Sequence, residues 1–206
     1  MVDSRKRSAS PGSEPRRRRS LRWCDHDCRR AGCYVITAVS HARACLFGEV
    51  VGAEMRVNEA GRMIGAVWQE IPSFYPGVEI DEFVVMPNHV HGILLLGAAG
   101  ALGESAVTRE EPGDATRNRM SLSVVMQRFK TLTTTRYIDG VRRAGWPRFT
   151  DRLWQRSFHD RVIRDDDEWN AFRQYILDNP VRWTIDRENP DASAGSSPIL
   201  FEPESS

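Results

Sequence analysis

Two apolar runs that lie close together constrain the fold of this 206-residue chain more than any other feature. They occupy residues 83–86 and 92–96, and only Pro87-Asn88-His89-Val90-His91 separates them. A connection this short joins neighbouring antiparallel strands, because a parallel pair needs a long crossover. The sequence therefore predicts a buried β-hairpin with Pro87-Asn88 at its turn.

The remaining periodicities complete an α+β chain. β-branched, alternating or 3.6-residue apolar patterns predict strands over 33–39, 78–85 and 154–163, and a short hairpin or extended segment within 47–57. They predict helices over 59–71, stopped by Pro72, over 121–141, and from about 165 to 178, ended by Pro180. Residues 97–119 have no clean period and are predicted to form a loop. This element order predicts a ferredoxin-like antiparallel sheet covered by helices on one face.

The ends of the chain differ in charge, although the formal net charge is only +1. Basic residues crowd the first segment and acidic residues the last. We expect a disordered basic arm over 1–22, one folded catalytic domain over 23–186 and a disordered acidic tail over 187–206. A basic arm suits a polyanion such as nucleic acid, but the same composition is ordinary for a disordered tail, so both interpretations stay open.

Composition also limits the compartment and the type of metal site. The chain has no apolar stretch near the roughly 20 residues that cross a bilayer, and its N-terminus does not resemble a secretory signal. We therefore expect a cytoplasmic protein without a membrane partner. Cys24, Cys28 and Cys33, with His26 among them, lack the spacing of a zinc knuckle. Cys33 and Cys45 are expected to pack as small hydrophobic side chains in a reducing compartment.

The His-x-His pair of His89 and His91 is the first candidate site. Residues two apart on a strand point to the same face, so both imidazoles would face one layer while Val90 faces the other. Two such imidazoles can share a metal, although a pair of surface histidines is the simpler alternative. Histidine-triad nucleotide hydrolases place a further histidine where this chain has Ile93, which argues against a histidine nucleophile.

The last predicted helix offers a nucleophile. Tyr175 lies on the flank of its apolar face, and Asn179 lies one turn further on the same side. The alternatives are an aromatic residue at a helix–sheet contact for Tyr175 and a helix C-cap for Asn179. Among the other tyrosines, Tyr137 on the basic second helix is the strongest competitor.

Several sequence blocks resemble one known family. In chain order they are CLFGE at 45–49, NEAGR at 58–62, DEFVVMPNHVHGI at 81–93, WQR at 154–156, VIR at 162–164 and YILDNPVRW at 175–183. Over about residues 23–186 the chain resembles the REP-associated tyrosine transposases, within the single-tyrosine HUH transposase superfamily. The region before the first strand departs from that pattern, because Cys24 and Cys28 stand where relatives often carry aromatic residues.

The resemblance implies a set of roles for residues of this chain. His89 and His91 would be metal ligands, Asn179 a further ligand, and Tyr175 the nucleophile that forms a 5′-phosphotyrosine bond. It implies an HUH-type fold, a divalent Mg²⁺ or Mn²⁺ ion, and cleavage and rejoining of single-stranded DNA at hairpin-forming, REP-like palindromes. The active form would be a monomer or a homodimer.

Further DNA contacts are expected from the second helix and the segment after it. Arg128 and Lys130 would hold phosphates, and Trp154 or Trp146 would stack on a base. The alternatives are a solvated basic face and core aromatic residues. At the level of function, two other hypotheses stay open: a repeat-DNA-binding protein without cleavage activity, and a metal-dependent phosphoesterase with a small substrate.

Overall fold

A computed structural model of the chain describes residues 32–97 and 121–192. It contains six strands, β1 Gly32–Val39, β2 Gly48–Val51, β3 Glu54–Val57, β4 Val78–Val85, β5 His89–Leu96 and β6 His159–Val162, and three α-helices, α1 Glu59–Phe74, α2 Leu122–Ala144 and α3 Asp166–Asp178. The predicted basic arm, Cys24, Cys28 and nearly all of the predicted 97–119 loop lie outside the described residues. No helix in the described ranges combines the length and the apolar character needed to cross a membrane.

Strands β4, β5, β1 and β6 form one antiparallel sheet in that order, and β2 and β3 form a separate hairpin. The hairpin predicted from the two apolar runs is confirmed, with β4 and β5 joined by a turn in which Met86 N–H donates to His89 O at 2.8 Å. Each of the two helical connections, β1–α1–β4 and β5–α2–β6, crosses one intervening strand. This is the ferredoxin-like topology, so the predicted fold class is confirmed.

Helices cover both faces of the sheet, which corrects the prediction of a one-sided cover. Side chains from alternate positions of β1 and β5, among them Ile36, Val90 and Leu94, join α1 and α2 in one hydrophobic core. The intervening positions, including Val35 and Ile93, join α3 in a second core. The sequence pattern marked β5 as fully buried, and a strand buried on both faces needs a layer on each side.

Helices α1 and α3 begin at side-chain caps, and α1 and α2 both continue three residues further than expected, α2 to Ala144. Asn58 Oδ1 accepts a hydrogen bond from Gly61 N–H at 2.9 Å, and Asp165 Oδ1 accepts one from Glu168 N–H at 2.8 Å. Pro72 was predicted to stop α1 but lies inside its last turn. Proline removes a single backbone donor there, and Tyr75 N–H still bonds to Ile71 O at 3.2 Å, so the helix extends to Phe74.

The strand predicted over 154–163 is also shorter than expected. Only His159–Val162 forms β6, and Trp154 makes an isolated bridge to Ser40. Trp154 is buried, with its ring 5.1 Å from the ring of Phe47 and 5.8 Å from that of Phe129, measured between centroids. The aromatic residue favoured a strand in the sequence pattern, but Trp154 instead serves to fill the core.

Candidate metal and tyrosine site

The two histidines of β5 point into the α3 layer. They occupy the same face of the strand as Ile93 and Leu95, which pack against α3, whereas Val90 packs in the core of the opposite face. The His89 side chain is 0 % exposed and that of His91 is 4 % exposed. Because both imidazoles are buried, the alternative of two surface histidines is wrong.

The two rings converge on one point. His89 Nε2 and His91 Nε2 are 3.1 Å apart, and the Asp186 carboxylate lies 3.8 Å from His89 Nε2. One ligand-capable atom from each of these three residues lies within 4.8 Å of those of the other two. Two imidazole nitrogens and a carboxylate oxygen at this spacing form a donor set suited to a divalent cation such as Mg²⁺ or Mn²⁺.

Burial keeps both imidazoles neutral. It lowers the pKa of His91 to about 4. The pKa of His89 is also lowered, first by burial and then by the neighbouring His91. At neutral pH each ring therefore carries one nitrogen lone pair and no positive charge, as a metal ligand requires.

Helix α3 brings Tyr175 against this pair. The ring centroids of Tyr175 and His91 are 5.3 Å apart, with an interplanar angle of 71°. The helix is fastened to the sheet by Phe172 and Ile176 in the second core and by an ion pair between Arg173 and Asp81 at 3.1 Å. Of the four tyrosines in the chain, Tyr175 is the one whose ring contacts a histidine of the site.

The Tyr175 phenol is protonated at neutral pH. Burial raises its pKa, and the Asp186 carboxylate raises it further. Asn179 and Arg182 act in the opposite direction and lower the pKa. A cation placed beside Asp186 would offset the negative charge of this carboxylate and so ease loss of the phenolic proton.

Asn179 follows Tyr175 by one helical turn and closes the other side of the site. The side chain is 0 % exposed, and its Oδ1 and Nδ2 both lack a hydrogen-bond partner within normal distance and angle limits. Its proximity nevertheless raises the pKa of His89 and lowers that of Tyr175. A buried amide that makes no well-formed hydrogen bond is costly, and an amide oxygen is a suitable ligand for a hard cation, so the site fits the divalent ion that the family resemblance implies.

Asp186 was not singled out from the sequence. It reaches the histidines because the chain turns through a 3₁₀ segment, Trp183–Ile185, directly after α3. The Trp183 ring lies 6.0 Å from the His89 ring between centroids. The only signal in the sequence is an acidic residue just after the YILDNPVRW block, which is too common to mark a ligand.

The predicted acidic tail begins within the described residues. Glu188 is buried, its backbone oxygen accepts a bond from Asn88 Nδ2 at 2.6 Å, and its carboxylate pairs with Arg43 at 2.8 Å. Residues 187–192 are placed against the domain, while residues 193–206 lie outside the described part. The folded unit thus continues past the boundary expected at residue 186.

The residues expected to contact DNA lie on or beside α2, in three different environments. Arg128 is exposed, with its guanidinium 4.0 Å from the Phe74 ring centroid. The Lys130 ammonium donates to the backbone oxygens of Gln155 at 3.0 Å and Ser157 at 2.7 Å, so its hydrogens are largely engaged. The Trp154 ring is covered by the core, and stacking on a base would require that core to open.

Trp146, the other predicted base-stacking residue, and Tyr137, the rival nucleophile, both pack within the protein. Trp146 is half-buried, and its Nε1 donates to Glu59 at 2.9 Å. Tyr137, the strongest rival nucleophile, is buried, and its hydroxyl donates to Pro147 O at 2.9 Å. Burial raises the pKa of the Tyr137 phenol, which makes it a poorer nucleophile. Tyr137 is therefore a core residue of the α1–α2 face.

One curated protein with a closely related sequence is an uncharacterized protein of Haemophilus influenzae. It is 31 % identical over 175 residues, which cover 82 % of this chain and 92 % of the relative. The chain belongs to the same family as this Haemophilus protein. No protein-family model matches the chain.

Two solved structures resemble the fold at a lower level. A REP-associated tyrosine transposase bound to a REP hairpin has a TM-score of 0.45 and 19 % identity, over 73 % of this chain and 67 % of the other. A suspected transposase of Deinococcus radiodurans has a TM-score of 0.43 and 16 % identity, over 70 % of this chain and 88 % of the other. Neither score is high enough to establish a common fold.

Proposed function

We propose that this protein is a metal-dependent tyrosine transposase that cleaves and rejoins single-stranded DNA. The observation that carries the proposal is the convergence of three groups in one buried site: the facing Nε2 atoms of His89 and His91, 3.1 Å apart, and the Tyr175 ring against His91. The sequence blocks that resemble REP-associated tyrosine transposases support the same assignment independently of this geometry.

His89, His91 and Asp186 would hold a divalent cation, with the Asn179 amide oxygen as a further ligand. When bound, the cation would withdraw charge from the scissile phosphate and orient it. The protein supplies neutral, buried imidazoles and the carboxylate of Asp186. Among the described residues this cluster is the one that offers three such side chains to a single metal ion.

Tyr175 would act as the nucleophile. Its phenolic oxygen attacks the phosphorus atom, a bond forms between that oxygen and the phosphate, and the bond to the 3′ oxygen of the preceding nucleotide breaks. The phenolic proton passes to solvent water as the new bond forms, and the departing oxygen takes a proton from solvent to become a free 3′-OH. The product is a 5′-phosphotyrosine, and attack by a 3′-OH reverses the sequence of events, so rejoining needs no ATP.

The position of Tyr175 favours an unpaired strand. The residue is half-buried on α3, beside two buried histidines, so a backbone phosphate must approach the protein closely to reach it. A flexible single strand can adapt to such a close approach more readily than a stacked duplex. We infer, from the family resemblance, that the substrate is single-stranded DNA next to a hairpin of the REP type.

The direct experiment looks for the covalent bond. The protein is incubated with end-labelled, hairpin-bearing single strands and Mg²⁺ or Mn²⁺, and the products are separated on a denaturing gel. We expect a labelled protein adduct for the wild type and for the matched control Tyr75→Phe, and none for Tyr175→Phe. DNA binding without any adduct would contradict the proposal and favour the repeat-binding alternative, and adduct formation by Tyr175→Phe would contradict the choice of nucleophile.

A further inference from the structure

The side chain of Asn88, next to the metal-site histidines, is held by three contacts. It is 0 % exposed, its Nδ2 lies 3.0 Å from Arg43 O and 2.6 Å from Glu188 O, and its Oδ1 lies 2.8 Å from His89 Nδ1. An amide offers two donor hydrogens on nitrogen and acceptor sites on oxygen. Both donors are therefore used on backbone carbonyls, and the oxygen is left for the histidine.

These contacts fix which end of the Asn88 amide is which. Backbone oxygens only accept hydrogen bonds, so the nitrogen end of the amide must face Arg43 O and Glu188 O. The oxygen end then faces His89 Nδ1 and can only accept. His89 Nδ1 must consequently carry the hydrogen, and in a neutral imidazole the lone pair is left on Nε2, the atom that faces His91 and Asp186.

We propose that Asn88 is a positioning residue that acts on the metal site in two ways. It holds His89 in the tautomer whose Nε2 can bind a cation, and it ties the segment that carries Asp186 to the start of β5. The second effect follows from the bond to Glu188 O, two residues after Asp186, reinforced by the Arg43–Glu188 ion pair at 2.8 Å. The inference rests on the metal site of the proposed function and does not depend on the nucleophile.

The partner of His91 behaves differently. Thr37 Oγ1 lies 2.8 Å from His91 Nδ1, and a hydroxyl can donate or accept by rotating. In the metal-free protein His91 Nε2–H donates to the His89 Nε2 lone pair across 3.1 Å, and Thr37 donates to His91 Nδ1. For His91 Nε2 to act as a ligand, the His91 hydrogen would have to lie on Nδ1, where the Thr37 hydroxyl could rotate to accept it. His89 would then keep its tautomer when a divalent cation is held, and His91 would exchange one tautomer for the other.

Nitrogen NMR of the imidazoles tests this directly in the full-length protein. Long-range ¹H–¹⁵N spectra at neutral pH distinguish Nδ1–H from Nε2–H for each histidine. We expect His89 to be Nδ1–H without metal, and His91 to change from Nε2–H to Nδ1–H when Mg²⁺ is added. A metal-free wild-type spectrum in which His89 is Nε2–H overturns the proposal.

The Asn88→Ala variant tests the consequence for metal binding. We expect its Mn²⁺ affinity, measured by titration calorimetry, to fall about tenfold to a hundredfold, because an outer-shell partner of a ligand is lost. Hydrogen exchange in a peptide covering residues 183–190 should become faster. Thr133→Val is the matched control, because Thr133 is a buried hydrogen-bonded residue in the other core, and its Mn²⁺ affinity should equal that of the wild type.

The outcomes separate the two proposals. A folded Asn88→Ala protein with wild-type Mn²⁺ affinity and unchanged exchange at 183–190 contradicts the positioning role. If Asn88→Ala does not fold, the wild-type tautomer spectrum still decides the inference. A wild type that binds neither Mn²⁺ nor Mg²⁺ contradicts the metal site of the proposed function, whereas the tautomer of His89 is measured without metal.

Discussion

The two faces of the sheet bury polar side chains in opposite ways. On the α1–α2 face, most buried polar side-chain atoms are hydrogen-bonded: Trp154 Nε1 donates to Thr133 Oγ1 at 2.9 Å, and the Tyr137 hydroxyl donates to Pro147 O. Among the described residues of this face, Trp68 Nε1 has no hydrogen-bond partner. On the α3 face, the Asn179 amide makes no hydrogen bond within normal distance and angle limits, and the Nε2 atoms of His89 and His91 are paired only with each other, across 3.1 Å.

We infer from this difference that the α1–α2 face mainly stabilises the fold and that the α3 face carries the proposed metal site. Strand β5 supplies both, because its alternate residues point in opposite directions: Val90 and Leu94 enter the large core, while His89 and His91 enter the site. Leaving polar atoms unpaired in a protein interior costs free energy, and such a cost is expected where a ligand will later pair with them. Substitutions on one strand should therefore separate the two properties.

The largest expected effect is on the functional face. His91→Ala removes one of the two converging nitrogens, and we expect adduct formation to fall on the order of a thousandfold, with Mn²⁺ binding lost in calorimetry. The neighbouring control Val90→Ala should keep its Mn²⁺ affinity. A His91→Ala protein that still binds Mn²⁺ as tightly as the wild type would break the comparison.

The next effect is on the structural face. Leu94 is fully buried between β5 and the α1–α2 layer, and Leu94→Ala leaves a cavity there. We expect the free energy of unfolding, measured with urea, to fall by about 3 kcal/mol, while the Mn²⁺ affinity of the folded protein stays unchanged. Loss of metal binding without loss of stability would reverse the proposed division between the faces.

The pH dependence of stability should report the buried histidines. Burial lowers the pKa of His91 from 6.5 to about 4, so the unfolded chain takes up a proton over this interval and the folded chain does not. In the metal-free protein we therefore expect the free energy of unfolding to decrease by about 2–3 kcal/mol as the pH falls from 6.5 towards 4. The His89→Asn/His91→Asn double variant should show a flatter dependence in urea unfolding, and an unchanged slope would count against neutral buried imidazoles.

The smallest effect sharpens the role of Asn179. Asn179→Leu keeps the size of the side chain and removes two buried atoms that have no partners. We expect the metal-free protein to become more stable by about 1 kcal/mol in urea unfolding. The same variant should bind Mn²⁺ more weakly, and a loss of stability would show that the amide is paired in the folded protein.

The sequence predicted the parts of the site that lie on regular elements. The alternation of β5 placed both histidines on one face, and the capped, Pro-terminated pattern of α3 placed Tyr175 and Asn179 on one side of a helix. These relations are local, because a strand repeats every two residues and a helix about every 3.6. The contact of Tyr175 with the histidines, between α3 and β5, was implied only by the family resemblance.

The parts that escaped prediction depend on contacts between distant positions. Asp186 reaches the histidines through an irregular segment, and Asn88 meets Glu188 one hundred residues further along the chain. The apolar run of β5 predicted burial but did not say which helix covers which face. Trp154 could not be assigned from the sequence either, because a tryptophan suits both a base-stacking site and a hydrophobic core. The structure places it in the core.

The most direct measurement identifies the residue that becomes linked to DNA. The covalent adduct is digested with protease and nuclease, and the modified peptide is sequenced by mass spectrometry. The tyrosine site predicts a nucleotide attached through its 5′ phosphate to Tyr175, beside the histidines that the ring of this residue contacts. A nucleotide attached to Tyr137 or another residue, or linked through its 3′ phosphate, would contradict the assignment.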